Sequence, residues 1–454
     1  MEAHEVKGKR FSVIGGARSG VAVSRLLKNH GAVVFLSDSA PAERMAEAGR
    51  DLQKLGIPHE FGENTRRVLD VDVVVLSPGV PPSAPVVIEA KARALKVVSE
   101  IEVASWFCSA PIVAITGTNG KTTTTALIGR MFEDAKRHSS VGGNIGIAFS
   151  QIVDGLHEQS TAILEVSSFQ LEDIDRFKPA VSVLLNITPD HLDRYGNSFE
   201  RYVAAKCRIF ENQGKEESVV YNHDDSVTHS CVEHLANSAI HRLPFSTQRV
   251  LTEGAFVEDG RMIVAMNQQR SEIIPIDQIS IRGAHNLANA MAAALSARAR
   301  GISVASIRAT LKNFKGVEHR LEFVRDVGGI AYVNDSKATN VDSVWHALQS
   351  FSSPIVLLLG GRDKGNDYSR LALLVKKNVR SIIAIGESAD RVAGAFSAIV
   401  PVKKAATMQE AVNLASSVAA SGDVVLLSPA CASFDWFDNY EHRGRVFKEI
   451  VLGL

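Results

Sequence analysis

Between Ile112 and Thr124 the chain reads Ile-Val-Ala-Ile-Thr-Gly-Thr-Asn-Gly-Lys-Thr-Thr-Thr. An apolar strand enters a tight turn and passes at once into a helix expected over Thr122–Lys136. Backbone N–H groups and the positive helix end then converge on one point, which suits a polyphosphate. Lys121 would reach the β- and γ-phosphates, and the Thr122 hydroxyl would coordinate Mg²⁺. The usual phosphate-loop pattern has glycine where Ile115 stands, so the turn must rest on Gly117 and Gly120. A structural turn carrying an exposed lysine is the competing reading.

Metal-assisted phosphoryl chemistry needs anionic ligands as well. Glu165 ends the apolar run Ala162–Glu165, where a lone carboxylate is costly without a cation. Asp190-His191 follows the run VSVLLNIT. Both groups fall at C-terminal strand ends, where open α/β sheets hold ligands. A salt-bridged core carboxylate and a capping histidine are the structural alternatives. Lys206, in YVAAKCRIF, reads from spacing alone as an ordinary helical lysine.

The N-terminal VIGGARSGVAVSRLL, followed by VVFLSDS, reads as the first βαβ of a dinucleotide-binding fold. Ala17 replaces the middle glycine of the usual fingerprint, and Asp38 ends the second strand as a hydrogen-bond acceptor for a ribose or base. A redox cofactor site and a purely structural turn both compete here. Further on, Asn286 and Asn289 lie at i, i+3 on one helical face; capping the helix start is the plainer role. Arg320 can pair with a phosphate, and Asp335 can hold a ribose or a water. Thr339, Lys364 and Ser433 follow strands of the last segment, and a cation with hydroxyls suits a carboxylate-bearing amino acid. A solvated loop lysine is the alternative for Lys364.

The elements that carry these residues alternate between short β-branched runs and amphipathic helices, which predicts parallel sheets in an α/β fold. Strands are expected over Phe11–Gly15, Val33–Asp38 and Val71–Ser77, then from Pro111, Ala162 and Val181, and finally from Ile330, Ile355, Ser381 and Asp423. The stretch from Gly254 reads as a hairpin turning at Asp259-Gly260. The length of 454 residues suggests three domains. Fifty basic against fifty acidic residues give no net charge, so nothing draws the chain to nucleic acid or an anionic membrane. The four scattered cysteines disfavour a disulfide scaffold or thiolate zinc site. With no signal-peptide pattern and no membrane-length apolar run, a cytoplasmic protein is expected.

The segment T-G-T-N-G-K-T resembles the ATP loop of the Mur ligase and folylpolyglutamate synthetase superfamily. Gly283-Ala-His-Asn286 and the Asp335–Asn340 segment extend the likeness over nearly the whole chain. Gly142–Gly146, Asp190–Tyr195 and Ser428–Asp435 resemble the D-glutamate-adding branch of the Mur ligases, and the Asp-Asn-Pro-Arg of the diaminopimelate-adding branch is absent.

The resemblance implies three α/β domains: a Rossmann-like UDP-binding domain over 1–100, a central P-loop-type ATPase domain with a mixed sheet over 101–316, and a C-terminal Rossmann-like domain over 317–454 that binds D-glutamate and closes on ATP. It implies ATP contacts at Gly117, Thr118, Asn119, Gly120, Lys121, Thr122, Thr123, Asn286, Asn289, Arg320 and Asp335. UDP-substrate contacts would be Arg18, Ser19, Gly20, Asp38, Ser39, Ser77, Gly79, Asn144, Ser167 and His191. D-glutamate would meet Thr339, Lys364, Ser433 and Phe434. Two Mg²⁺ ions would be held by Thr122 and Glu165 and by His191 and Lys206, the last carbamylated. Lys121, Glu165, His191 and Lys206 would carry catalysis. The implied substrates are UDP-N-acetylmuramoyl-L-alanine, D-glutamate and ATP, joined through an acyl phosphate by a monomeric enzyme of peptidoglycan precursor synthesis. A nicotinamide-dependent oxidoreductase, a silent nucleotide-binding regulator and a ligase for another amino acid are the rival expectations.

Overall fold

Runs of valine, isoleucine and leucine build three sheets. The computed structural model describes every residue except Ile145, Ala236, Ser238, Ser352 and Lys364. The first sheet holds β1 (Arg10–Ile14), β2 (Val33–Asp38), β3 (His59–Phe61), β4 (Val73–Leu76) and β5 (Lys96–Ser99). Its order is β3-β2-β1-β4-β5, all parallel. The winding reverses between β1 and β4, where such sheets open a crevice beyond their carboxyl ends.

The second sheet holds β6 (Ile112–Thr116), β7 (Ser139–Gly143), β8 (Thr161–Glu165), β9 (Val181–Leu184), β10 (Ser218–Asn222), β11 (His241–Ser246), β12 (Gly254–Glu258), β13 (Arg261–Met266) and β14 (Gln269–Pro275). Its order is β14-β13-β12-β11-β10-β9-β6-β8-β7. Strands β6 to β12 pair in parallel, whereas β13 runs antiparallel to both β12 and β14. The β12–β13 turn is Asp259 (φ 48°) and Gly260 (φ 70°), the left-handed pair that a two-residue hairpin requires.

The third sheet holds β15 (Glu322–Val327), β16 (Ile330–Asn334), β17 (Ile355–Gly360), β18 (Val379–Ile385), β19 (Val402–Lys404) and β20 (Val424–Leu427). Its order is β15-β16-β20-β17-β18-β19, with β15 antiparallel and the rest parallel. Every residue of β4, β6, β8, β9, β17 and β20 is buried, as strands covered by helices on both faces must be.

Residue contacts divide the chain into two compact units. Met1–Ile279 with Ala288–Asn313 contains the first two sheets, and Ser280–Leu287 with Phe314–Leu454 contains the third. The helix after the phosphate loop spans Lys121–Asp134, starting one residue before the expected range and stopping short of Lys136. Among the described residues, no helix is long and apolar enough to cross a membrane.

Candidate active site

The loop between β6 and the helix Lys121–Asp134 owes its shape to two glycines in left-handed territory, Gly117 (φ 151°) and Gly120 (φ 86°). A Cβ on Gly120 would lie 2.2 Å from Asn289 Oδ1, so no larger residue fits beneath that buried amide. The residues just after β9 pin the loop from the other side. Thr118 N–H donates to Asn186 O (2.8 Å), Asn119 N–H donates to Asn186 Oδ1 (2.9 Å), and Asn186 Nδ2 donates back to Asn119 O (3.0 Å). Thr118 Oγ1 donates to Thr188 O and lies 3.1 Å from the Tyr202 hydroxyl.

Five sequence-expected groups, Thr122, Glu165, Asn144, Lys121 and Lys206, meet around this loop. The Thr122 hydroxyl donates to Glu165 Oε2 at 2.7 Å, and Asn144 Nδ2 donates to Glu165 Oε1 at 3.0 Å. Glu165 is only 2% exposed. A buried carboxylate beside a hydroxyl is an all-oxygen donor set of the kind that a hard divalent cation takes. Lys121 and Lys206 both donate to the Gly117 carbonyl, at 2.9 and 2.8 Å. Lys121 also donates to Thr118 O.

Lys206 is 2% exposed on the helix Phe199–Cys207, with its ammonium 4.7 Å from the Tyr202 ring centroid. Burial, followed by repulsion from Lys121, drives its pKa well below the ordinary lysine range; Asp190, Cys207 and Glu165 oppose that shift. The same surroundings favour the neutral, nucleophilic form of the amine over the ammonium. His191 stands at φ 51°, half-exposed, with its ring 5.2 Å edge-on to Phe169 and Nε2 3.8 Å from Asp190 Oδ2. Thr123 is buried, and its hydroxyl has no hydrogen-bond partner among the described residues.

A second feature opens at the β1/β4 reversal. Arg18, Ser19, Asp38, Ser39, Ser77, Gly79 and Asn144 all line a cavity of about 440 Å³. Gly20 does not line it but makes it possible: a Cβ there would lie 1.8 Å from Gly15 O, so glycine lets the helix Arg18–Asn29 press against the turn. Ala17 has ordinary backbone angles (φ −69°, ψ −178°), so the turn has no conformational need for the missing glycine. The Asp38 carboxylate accepts from Gly16 N–H (2.6 Å) and Ala40 N–H (2.8 Å), and the Ser77 hydroxyl donates to Gly15 O. Ser167 and His191 lie outside the lining. Ser167 caps the helix Ser168–Leu171 instead.

The second unit carries a buried polar cluster at the carboxyl ends of β16 and β20. Asp335, at the end of β16, accepts from Ser428 Oγ (2.7 Å) and Leu321 N–H (3.2 Å). Burial pushes its pKa up to about 7, against the opposing pull of Ser428 and Arg320. Arg320 Nε is buried with no hydrogen-bond partner among the described residues. Asn286 Nδ2 donates to Arg282 O, closing the start of its own helix. Ser433 is buried, whereas Thr339 and Phe434 are exposed. Lys364 lies outside the described residues.

Sequence reasoning passed over two organising residues. Asn186 holds the phosphate loop, and its position at a C-terminal strand end was the available signal. Arg443 is 1% exposed and donates to Ser336 O, Ser336 Oγ and Cys431 O, tying two strand-end loops together. Nothing local distinguishes it from the other cations of its helix.

Family models match along the chain: the MurD N-terminal domain at residues 10–86, the Mur ligase middle domain at 115–297, and the Mur ligase glutamate ligase domain at 319–431. The UDP-N-acetylmuramoylalanine–D-glutamate ligase of Salinibacter ruber is 49% identical, with 99% of each chain covered. That of Chloroherpeton thalassium is 46% identical, with 100% of each covered. Among solved structures, a pseudomurein peptide ligase from Methanothermus fervidus shares the fold with a TM-score of 0.62 at 19% identity, covering 98% of this chain and 100% of that one. The UDP-N-acetylmuramate–alanine ligase of Thermotoga maritima does so at 0.60 and 19%, covering 98% and 99%. With relatives nearly half identical from end to end, the chain belongs to the Mur ligase family, in its UDP-N-acetylmuramoylalanine–D-glutamate ligase branch.

Proposed function

We propose that this protein joins D-glutamate to UDP-N-acetylmuramoyl-L-alanine at the expense of ATP, in the synthesis of peptidoglycan precursors. The observation that carries the reading is the meeting of Thr122, Glu165 and Lys206 at a glycine-shaped loop, in a chain whose full-length relatives bear that activity. ATP and Mg²⁺ are the requirements of the family.

A carboxylate resists attack by an amine because its leaving group would be oxide. Its oxygen therefore attacks the γ-phosphorus, the bond to ADP breaks, and an acyl phosphate results. The amine of D-glutamate then adds to the acyl carbon to give a tetrahedral intermediate, the nitrogen gives up a proton, and phosphate leaves with the original carboxylate oxygen. Bound Mg²⁺ supplies charge neutralisation between the phosphates and the carboxylate. Thr122 and Glu165 would hold one ion, and His191 and Lys206 a second.

Lys206 would act as a carbamate: its neutral Nζ adds to the carbon of CO₂ and loses a proton, which turns a buried cation into an oxygen ligand. The buried position and the like charge of Lys121 favour that neutral amine. Gly117 to Thr123 would cradle the phosphates through backbone N–H groups, with Lys121 balancing their charge. Asn289 is assigned to the nucleotide as well as to the loop, and Asn286, Arg320 and Asp335 are assigned to nucleotide contacts on resemblance. The cavity at the β1/β4 reversal takes the UDP moiety through Arg18, Ser19, Asp38, Ser39, Ser77, Gly79 and Asn144. Gly20 shapes its turn, and Ser167 and His191 complete the substrate set. D-glutamate is assigned to Thr339, Lys364, Ser433 and Phe434. The working divisions are 1–100, 101–316 and 317–454, in a cytoplasmic monomer without nucleic acid or membrane partners.

An amino-acid panel tests the reading. With UDP-N-acetylmuramoyl-L-alanine and MgATP, phosphate should appear with D-glutamate and not with L-glutamate, L-lysine or diaminopimelate. Two carboxylate anchors fix the D-amine in line, and the L-isomer sharing them turns its amine away. Turnover with L-lysine or diaminopimelate and none with D-glutamate would defeat the assignment.

A further inference from the structure

The two helix segments that meet at the phosphate loop also share a destination. The helix Lys121–Asp134 starts at Gly120 and delivers Lys136 and Arg137 at its far end. The helix segment from Asn289, whose amide fills the space beside Gly120, delivers Arg300. Each end turns through a left-handed residue. In the first, Lys136 (φ 54°) lets Arg137 N–H reach Phe132 O at 2.9 Å. In the second, Gly301 (φ 77°) lets Ile302 N–H reach Ala297 O at 3.0 Å. Glycine is the low-cost residue at such a position; lysine there costs about 1 kcal/mol.

Lys136, Arg137 and Arg300 line one cavity of about 340 Å³, together with His138 and His157. It lies beside the N-terminal ends of β7 and β8, away from the carboxyl ends that carry the loop. The only carboxylate among its described lining residues is Glu158. The His138 and His157 rings stack at 5.2 Å with 19° between planes, and His138 Nδ1 lies 2.8 Å from the Ser160 hydroxyl, which orients that ring. A helix C-terminus attracts a cation, which accounts for a basic residue at each end but not for three converging with two imidazoles. Arg300 is the most informative member. It is half-buried, and its Nε is a buried donor with no partner among the described residues. Burial and the nearby Arg137 both disfavour its charge.

We propose that this cavity binds a small, multiply charged phosphate anion of pyrophosphate size, at a site separate from the ATP loop. The anion relieves the Arg137–Arg300 repulsion and offers oxygen pairs that match planar guanidinium forks. Glu158 opposes it, and the three cations outweigh that one carboxylate.

Calorimetry with sodium pyrophosphate tests the site on the full chain, its loop first saturated with a non-hydrolysable ATP analogue. One pyrophosphate should bind per chain. The Arg137→Ala/Arg300→Ala variant should bind it at least tenfold more weakly while keeping ATP turnover within twofold of the parent. Arg300→Lys, which keeps the charge but loses the fork, should weaken binding at least threefold, and it answers the question if the double variant does not fold. Citrate should bind at least tenfold more weakly than pyrophosphate. No pyrophosphate binding, unchanged binding in both variants, or equal binding of citrate and pyrophosphate would overturn the proposal.

Discussion

Lys206 carries the sharpest chemistry in the molecule, because burial and the neighbouring Lys121 pull its pKa well below the ordinary lysine range. If its carbamate is a metal ligand, Lys206→Ala should lower kcat by about a hundredfold or more. A short carboxylic acid added to the variant should restore part of the rate, because it returns the missing oxygens. Full activity in Lys206→Ala would remove the carbamate from the mechanism. Asp335 gives a second test at this scale. In the ligand-free fold it keeps its proton to about pH 7, whereas an unfolded aspartate loses it near 3.8. The folded state therefore binds that proton more tightly. The stability this contributes is present below pH 3.8, declines as pH rises and is gone above about 7. Urea unfolding of Asp335→Asn should show a flatter stability profile between pH 4 and 7 than the parent, and an unchanged slope would contradict the assignment of that titration to Asp335. Lys121, Thr122 and Glu165 stood out in the sequence because a glycine turn and strand ends mark them. Asn186, Tyr202 and Arg443 did not, since their roles come from contacts far along the chain that no local pattern encodes.

At the scale of elements, the site depends on close approaches that only glycine permits. Gly120→Ala meets both a left-handed φ and the Asn289 amide, and should cost about 1–3 kcal/mol locally. If that strain falls on the loop, the KM for ATP should rise about tenfold or more, with the KM for the UDP-substrate little changed. Gly20→Ala, pressed on Gly15 O, should show the reverse pattern. Steady-state kinetics with each substrate varied in turn separates the two.

A buried clamp holds the segment after the helix Ser168–Leu171. Glu102 accepts backbone N–H bonds from Asp175, Arg176 and Phe177 and the Trp106 indole N–H. Glu102→Ala leaves those donors unpaired and should cost about 3 kcal/mol or more in urea unfolding. A loss below about 1 kcal/mol would mean that water satisfies them. The long buried strands and the Asp259-Gly260 hairpin were legible, because continuous apolar runs and turn residues are local signals. Three-residue edge strands such as β3 and β19 were not. Nor was β15, whose alternating polar sequence and bulge at Phe323–Arg325 obscure its pairing with β16.

At the scale of the whole molecule, the proposed function divides one reaction among three sheets. The first opens a nucleotide-sized cavity at its winding reversal, the second holds the phosphate loop with its carboxylate and buried lysine, and the third carries the acidic and arginine cluster assigned to nucleotide and amino acid. Balanced charge fits a catalyst of small anions rather than a binder of charged polymers. In the proposed reaction ATP activates the substrate carboxylate. This activation is tested most directly by labelling that carboxylate of UDP-N-acetylmuramoyl-L-alanine with ¹⁸O and analysing the phosphate released with MgATP and D-glutamate. Each amide bond formed should send one labelled oxygen into inorganic phosphate. Phosphate free of label, or label recovered in AMP, would contradict an acyl phosphate and with it the role assigned to the loop.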